Sequence, residues 1–238
     1  MSTISLTKSL SISLEKAGFD MNNLPKMEVK LLVDKSGSMG DEFRSGWVQN
    51  TLDLFLVAAL KFDDDGALQV GFFNTGFDQT PDMTKSDAGK YVNKYNIYPS
   101  GGTYFAPGIR AFKGGDTSVA PKPATAPGFF GRLFGGDKPV VTGVTGGVSA
   151  TKDIYLSMIT DGDNNDKVDF EKELAKLPYT TFLQIIAIGT DVKKTYLDSL
   201  AEKFENVSVI YLPNPKAVTQ DKFYDMLINS DFKKFTGV

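Results

Sequence analysis

The sequence contains neither cysteine nor histidine. The lack of cysteine excludes disulfides, thiolate zinc sites and a cysteine nucleophile, and it suits a reducing compartment, so we expect a cytoplasmic protein. The lack of histidine removes the commonest general base, the commonest transition-metal ligand and every Ser-His-Asp triad. Much of enzyme chemistry is therefore excluded before any motif is considered.

Long apolar runs and an excess of basic charge are also missing. The 238 residues carry 26 Lys plus Arg against 29 Asp plus Glu, a formal charge of −3. This balance provides no overall basic field for nucleic acid or an acidic membrane. No window approaches 18 uninterrupted apolar residues, and the first residues lack the apolar core of a signal peptide, so we expect neither a transmembrane segment nor a secretory leader.

Apolar patterning divides most of the chain into alternating strands and helices. Continuous apolar runs predict strands buried on both faces. These runs are 29–33, 68–73, 154–160, 181–188 and 207–212. Apolar residues at helical spacing predict helices between them. The helices cover 47–62, 87–95, 103–112, 168–177, 193–204 and 220–229. The alternation predicts an α/β fold with a doubly wound, mostly parallel central sheet flanked by helices.

One N-terminal segment departs from this alternation. Residues 4–14 alternate apolar and polar side chains with a period of two. This pattern predicts a short N-terminal β extension at 1–26, ahead of a main domain at 27–238.

A second departure lies inside the main domain. Residues 113–150 are rich in Gly, Pro, Ala, Thr and Ser without sustained periodicity, and we interpret them as a long insertion. Within it, Phe129, Phe130, Leu133 and Phe134 form an apolar patch. The patch either folds back over the domain or docks on a partner or membrane surface.

Three polar loops follow the predicted strands or precede helices at the same edge of the sheet. The first loop carries Asp34, Ser36 and Ser38, the second carries Thr103, and the third carries Asp161. Such loops meet at the carboxyl ends of the strands in a doubly wound sheet. Hydroxyl and carboxylate oxygens suit a hard cation, and the few carboxylates leave places for water. The sequence therefore predicts a Mg²⁺ site, with Mn²⁺ or Ca²⁺ as possible occupants. The alternative is that the first loop is only a capped strand-to-helix turn.

Two further acids lie beside the third loop. Asp163 and Asp166 are interpreted as N-terminal charge and caps for helix 168–177. The segment is not an EF-hand, because the sixth position counted from Asp161 is Asp166 rather than Gly and the twelfth is Lys172 rather than Glu.

The five polar positions resemble the metal-ion-dependent adhesion site (MIDAS) of von Willebrand factor A (vWA) domains. Asp34, Ser36 and Ser38 match the DxSxS signature, Thr103 follows a Gly-Gly pair, and Asp161 stands in TDGD. The resemblance implies direct coordination by the two serines, direct or water-mediated coordination by Thr103, and largely water-mediated coordination by the two aspartates. It also implies one free coordination position for the Asp or Glu carboxylate of a protein partner.

A narrower resemblance rests on the segments DKSGSM, WVQNTLDLFLVAALKFDDDGALQVGFF and GFFGRLFGG. These are similar to the vWA domain of bacterial tellurium-resistance (TerF-like) proteins. The opening ISLTKSLSISLEKAG resembles the first strands of the TerD-type domain, of which only a stub precedes the main domain. The resemblance implies a role in the response to tellurite or another chemical stress.

We therefore expect a non-enzymatic interaction module that binds a protein partner through a divalent cation. A metal-dependent hydrolase or phosphotransferase is the first alternative, although the site lacks a general base. A passive structural or assembly component is the second.

Overall fold

The computed structural model describes residues 3–112 and 152–238. The predicted insertion at 113–150 and its apolar patch lie outside these described residues. None of the helices within the described ranges is long and apolar enough to cross a membrane.

The described residues form nine α-helices and six β-strands. In chain order they are α1 (Thr3–Lys16), β1 (Met27–Asp34), α2 (Gly40–Arg44), α3 (Trp47–Phe62), β2 (Gln69–Phe73), β3 (Phe77–Gln79), α4 (Tyr91–Lys94), α5 (Ala106–Phe112), β4 (Asp153–Thr160), α6 (Lys167–Leu174), β5 (Thr181–Ile188), α7 (Lys194–Lys203), β6 (Val207–Leu212), α8 (Gln220–Leu227) and α9 (Ser230–Thr236). Short 3₁₀ turns lie at Gly37–Met39, Lys85–Asp87 and Pro215–Ala217.

The strands form one sheet in the order β3-β2-β1-β4-β5-β6. All neighbouring pairs are parallel except β2 and β3, which are antiparallel. The predicted doubly wound α/β fold is therefore confirmed. The strand order reverses between β1 and β4, and at such a switch point the loops after the two strands diverge and leave a crevice. Asp34 is the last residue of β1, and Asp161 directly follows β4.

Helices cover both faces of the sheet and create two apolar clusters. Alternate residues of β1 enter different clusters, because successive side chains of a strand point to opposite faces. Leu31 and Val33 pack with α1, α3 and α8, whereas Leu32 packs with α5 and α6. This double burial explains why the central strands are continuous apolar runs in the sequence.

The predicted N-terminal β extension is wrong, because residues 3–16 form helix α1. Leu6, Leu10 and Leu14 are spaced by four residues and are buried, whereas Ile12 is 37% exposed. The helix packs against α8 and α3, and Ser13 Oγ donates a hydrogen bond of 2.5 Å to Asp225 Oδ1 of α8. Spacings of four residues fit the period of a helix as well as that of a strand, and the apolar surface of α8 and α3 favours the helix.

The predicted helix at 87–95 is also shorter than expected. A 3₁₀ turn at Lys85–Asp87 and the short helix α4 occupy this segment, and Gly89 between them has a φ of 73°. A left-handed residue cannot continue an α-helix.

The position of α1 predicts unequal effects for two neighbouring substitutions. Leu10→Ala leaves a cavity between α1 and the core, so we expect a loss of about 2–5 kcal/mol in the free energy of unfolding. Ile12→Ala removes a partly exposed side chain and is expected to change it by no more than about 0.5 kcal/mol. Urea unfolding of both variants measures the difference. Equal losses would contradict the helix, because a strand places residues 10 and 12 on the same face.

Candidate metal centre

Asp34 ends β1 and is fully buried. Its Oδ1 accepts a hydrogen bond of 2.7 Å from the Ser36 backbone N–H, and its Oδ2 accepts one of 2.7 Å from Thr160 Oγ1 at the end of β4. The bond to Ser36 turns the chain sharply after the strand, and the bond to Thr160 ties β1 to its neighbour. Both carboxylate oxygens are thus oriented by neighbouring elements before any ligand arrives.

The serine side chains continue this chain of polar contacts. Ser36 Oγ and Ser38 Oγ are 3.1 Å apart, and Ser38 Oγ donates a hydrogen bond of 2.9 Å to Asp161 Oδ1. The 3₁₀ turn at Gly37–Met39 lets both serines face the third loop. Four of the five predicted ligands therefore lie in one hydrogen-bonded group.

Thr103, the fifth predicted ligand, is buried beside the third loop. A Cβ built on Gly162 would lie 3.6 Å from Thr103 Oγ1. Backbone bonds fix the approach of the second loop to the first: Gly37 N–H donates to Gly101 O at 3.0 Å, and Ser100 N–H donates to Lys35 O at 2.7 Å. The structure therefore brings all five positions together, and we call them the oxygen cluster (Asp34, Ser36, Ser38, Thr103 and Asp161).

The oxygen cluster contains two carboxylates, Asp34 and Asp161. Among the described residues, no Lys or Arg forms an ion pair with either of them. Burial raises the pKa of Asp34 to about 6, against the hydrogen bonds from Thr160 and Ser36, and burial also raises the pKa of Asp161. The nearby lysines are paired elsewhere: Lys35 with Asp78, and both Lys167 and Lys193 with Asp163.

This donor set fits a hard divalent cation. Three hydroxyls and two carboxylates supply oxygen only, and an ion would provide the positive charge that the surrounding side chains do not. Within the described ranges, no group of three or more His, Cys, Asp or Glu side chains is arranged as a metal site. A cation at this position would therefore depend on the hydroxyl groups.

Two residues that support the oxygen cluster are not among the predicted site residues. Thr160 bonds to Asp34, and Asn74 joins β2 to the second loop through a bond of 2.8 Å from its Nδ2 to Ser100 O. The position of Thr160 directly before Asp161 was the available signal, because the last side chain of a buried strand must face one of its neighbours. No comparable signal marks Asn74.

The two further acids make contacts other than the predicted caps. Asp163 pairs with Lys167 and Lys193 at 2.9 Å. Asp166 precedes α6 but makes no side-chain cap to that helix. Its Oδ1 and Oδ2 instead accept hydrogen bonds of 2.9 Å from the backbone N–H groups of Phe105 and Ala106 at the start of α5. The prediction that Asp166 caps its own helix is therefore wrong, because the second loop supplies better-placed donors.

Comparison with known families identifies a match over most of the chain. A family model described as the vWA domain found in the TerF C terminus matches residues 26–235. The uncharacterized protein YcbR of Bacillus subtilis (strain 168) is 35% identical over 97 residues, which are 40% of this chain and 38% of YcbR.

Solved structures show the same fold at low sequence identity. The von Willebrand factor type A structure from Catenulispora acidiphila has a TM-score of 0.57 at 15% identity, and the match covers 88% of this chain and 43% of that one. Proximal thread matrix protein 1 from the mussel byssus has a TM-score of 0.52 at 18% identity, with 86% and 47% covered. The chain thus spans less than half the length of each of these relatives, and at such identities the likeness shows the fold.

The buried hydrogen bond to Asp34 predicts a specific loss on substitution. Thr160→Val removes the hydroxyl that donates to the carboxylate, and we expect a loss of about 1.5–3 kcal/mol in the free energy of unfolding. Thr181→Val is the matched control, because Thr181 is equally buried in β5 and its hydroxyl has no hydrogen-bond partner among the described residues. Unfolding in urea with a chelator present compares the two variants. Similar stability of both would mean that the Thr160 bond contributes nothing.

Proposed function

Because the chain belongs to the family of vWA domains found at the TerF C terminus, we propose that its oxygen cluster is a MIDAS that holds a divalent cation, Mg²⁺ in the cell. Domains of the vWA family commonly mediate metal-dependent protein interactions. We propose that this chain does the same and binds an Asp or Glu carboxylate of a protein partner through the ion. The observation that carries the proposal is the hydrogen-bonded group of Asp34, Ser36, Ser38 and Asp161 at the switch point of the sheet.

The chemistry of the oxygen cluster supports Mg²⁺ as the occupant. Ser36, Ser38 and Thr103 would hold the ion by their hydroxyls, and Asp34 and Asp161 would act largely through bound water. Mg²⁺ keeps several waters and needs only one or two carboxylates, which is what this donor set provides. Mn²⁺ takes similar oxygen ligands, and Ca²⁺ is usually held by more carboxylates.

Coordination by neutral hydroxyls also favours binding of an external carboxylate to the ion. An ion held by serine and threonine keeps more of its positive charge than an ion enclosed by acids, so it attracts an anionic group at the free coordination position. The partner's carboxylate would be held at the crevice between the first and third loops. What the chain's own residues do is bind and orient the ion.

The proposed role is non-enzymatic. A hydrolase needs a group that accepts a proton near the reacting water, and the proposed function already uses both carboxylates of the oxygen cluster, Asp34 and Asp161. We place the protein in the cytoplasm, consistent with its lack of cysteine. A role in tellurite or other chemical stress is proposed from the TerF-like family alone.

Metal binding is tested by thermal unfolding in a chelator and then with Mg²⁺, Mn²⁺ or Ca²⁺ added. An ion held only by the folded state at 100 times its Kd adds about 2.7 kcal/mol. For a chain of this size that is a rise in Tm of about 5–10 °C. We expect this rise for the wild type and its loss in the double variant Ser36→Ala/Ser38→Ala.

Ser199→Ala is the control for this measurement. Ser199 lies on the exposed side of α7 and its Oγ donates to Tyr196 O at 2.6 Å, far along the chain from the oxygen cluster. Its variant should keep the full rise in Tm. An equal rise in the double serine variant, or no rise with any of the ions in the wild type, would contradict metal binding at the oxygen cluster.

A further inference from the structure

The third loop holds the second loop through four hydrogen bonds. Asn165 donates twice to Thr103 O, from its backbone N–H at 2.9 Å and from its Nδ2 at 3.1 Å. Asp166 accepts twice, from the N–H groups of Phe105 and Ala106 at 2.9 Å. We call Asn165 and Asp166 the clasp. It holds the second loop at the carbonyl of Thr103 and at the N–H groups of Phe105 and Ala106, which follow it.

The clasp also joins two helices and is itself supported. Asp166 is the residue before α6 and binds the start of α5, so the two helix termini cannot move apart without breaking charge-assisted bonds. Asn164 Nδ2 donates to Asp166 Oδ1 at 3.0 Å. Directly beneath, the rings of Phe105 and Phe170 pack edge to face with centroids 5.1 Å apart. Hydrogen bonds and ring packing therefore hold the second and third loops together at this point.

We propose that the clasp positions Thr103 against Asp161 and thereby makes the centre selective for Mg²⁺ over Ca²⁺. This inference rests on the proposed function, since it concerns the same ion. Asn165 and Asp166 are not among the proposed ligands, and they would act through Thr103 as positioning residues.

The physical basis is the difference in size and rigidity between the two ions. Mg²⁺ requires near-octahedral geometry with oxygen atoms at about 2.0–2.1 Å, whereas Ca²⁺ accepts irregular shells at about 2.3–2.6 Å. Because the Thr103 carbonyl and the next residues of the second loop are bonded to the third loop, Thr103 would resist the movement away from Asp161 that the larger shell of Ca²⁺ needs. A loosened Thr103 would lose the short contacts to Mg²⁺ but could still follow the larger ion.

The test is the dissociation constant of each ion, measured by calorimetric titration of the wild type and of Asp166→Ala. Removing a residue that orients a metal ligand typically weakens binding by about 10–100-fold. We expect the Kd of Mg²⁺ to rise by at least about tenfold in Asp166→Ala and the Kd of Ca²⁺ to rise by a clearly smaller factor. Asp166→Asn keeps one acceptor oxygen and should restore part of the Mg²⁺ preference.

Two further variants keep the test decisive. Asn165→Ala removes only the side-chain bond to Thr103 O and keeps the backbone bond, so it replaces Asp166→Ala if that variant fails to fold in a chelator. The preference of Asn165→Ala for Mg²⁺ over Ca²⁺ should fall, as it does in Asp166→Ala. Asp169→Ala is the control, because Asp169 is exposed on α6 and pairs with Lys172 at 2.9 Å, and both dissociation constants should stay unchanged.

The ratio of the two dissociation constants separates positioning from general destabilisation. A clasp that only stabilises the fold would leave both dissociation constants unchanged or raise both by the same factor. In either case their ratio stays the same, which overturns the inference while the proposed function stands. A wild type that binds neither ion overturns the proposed function, and the inference with it.

Discussion

The carboxylate of Asp34 lies fully buried where the strand order of the sheet reverses, and it accepts hydrogen bonds from the loop after β1 and from the end of β4. A buried carboxylate without hydrogen bonds would cost several kcal/mol, so its donors must be in place when the domain folds. The first donor bends the loop after β1 and the second is the last residue of β4. The positions of the first loop and of Thr160 therefore follow from the hydrogen bonds that the buried Asp34 carboxylate needs.

The remaining loops are fixed to this point by bonds that each have a main-chain group on at least one side. Backbone groups of the second loop bond to Lys35 and Gly37 in the first, and the clasp bonds it to the third. Bonds between backbone groups vary little with the identity of the side chains, so the loops can hold a stable arrangement while their exposed residues differ. These bonds set the approach of the loops, and the serine and aspartate side chains that face the crevice bond to one another.

Much of the fold could be predicted from the sequence because the strands are buried on both faces. The bounds of β5 and β6 agree with the predicted runs, and α3 agrees with the helical spacing at 47–62. The edge strand β3 was missed because it has three residues, of which two are exposed. The pattern of α1 resembles a strand because Leu6, Leu10 and Leu14 share a face in both a strand and a helix, and the exposed Ile12 and the buried Ser13 separate the two.

The candidate site was predictable within each loop but not between loops. The spacing of Asp34, Ser36 and Ser38 is a property of one short segment, so the sequence contains it directly. The partners of Asp166 lie about sixty residues away on α5. A carboxylate before a helix favours the interpretation as that helix's own cap, and only the packed structure shows that another segment supplies its donors.

The central claim is that a cation in the oxygen cluster binds an external carboxylate, and an NMR titration of the ¹⁵N-labelled chain with acetate tests it most directly. With Mg²⁺ present, acetate should shift the amide signals of Gly37, Gly101 and Gly162, which surround the oxygen cluster. The same acetate in a chelator, and the neutral analogue acetamide with Mg²⁺, should leave those signals in place. Shifts that are equal with and without Mg²⁺, or no shift in either condition, would contradict the account.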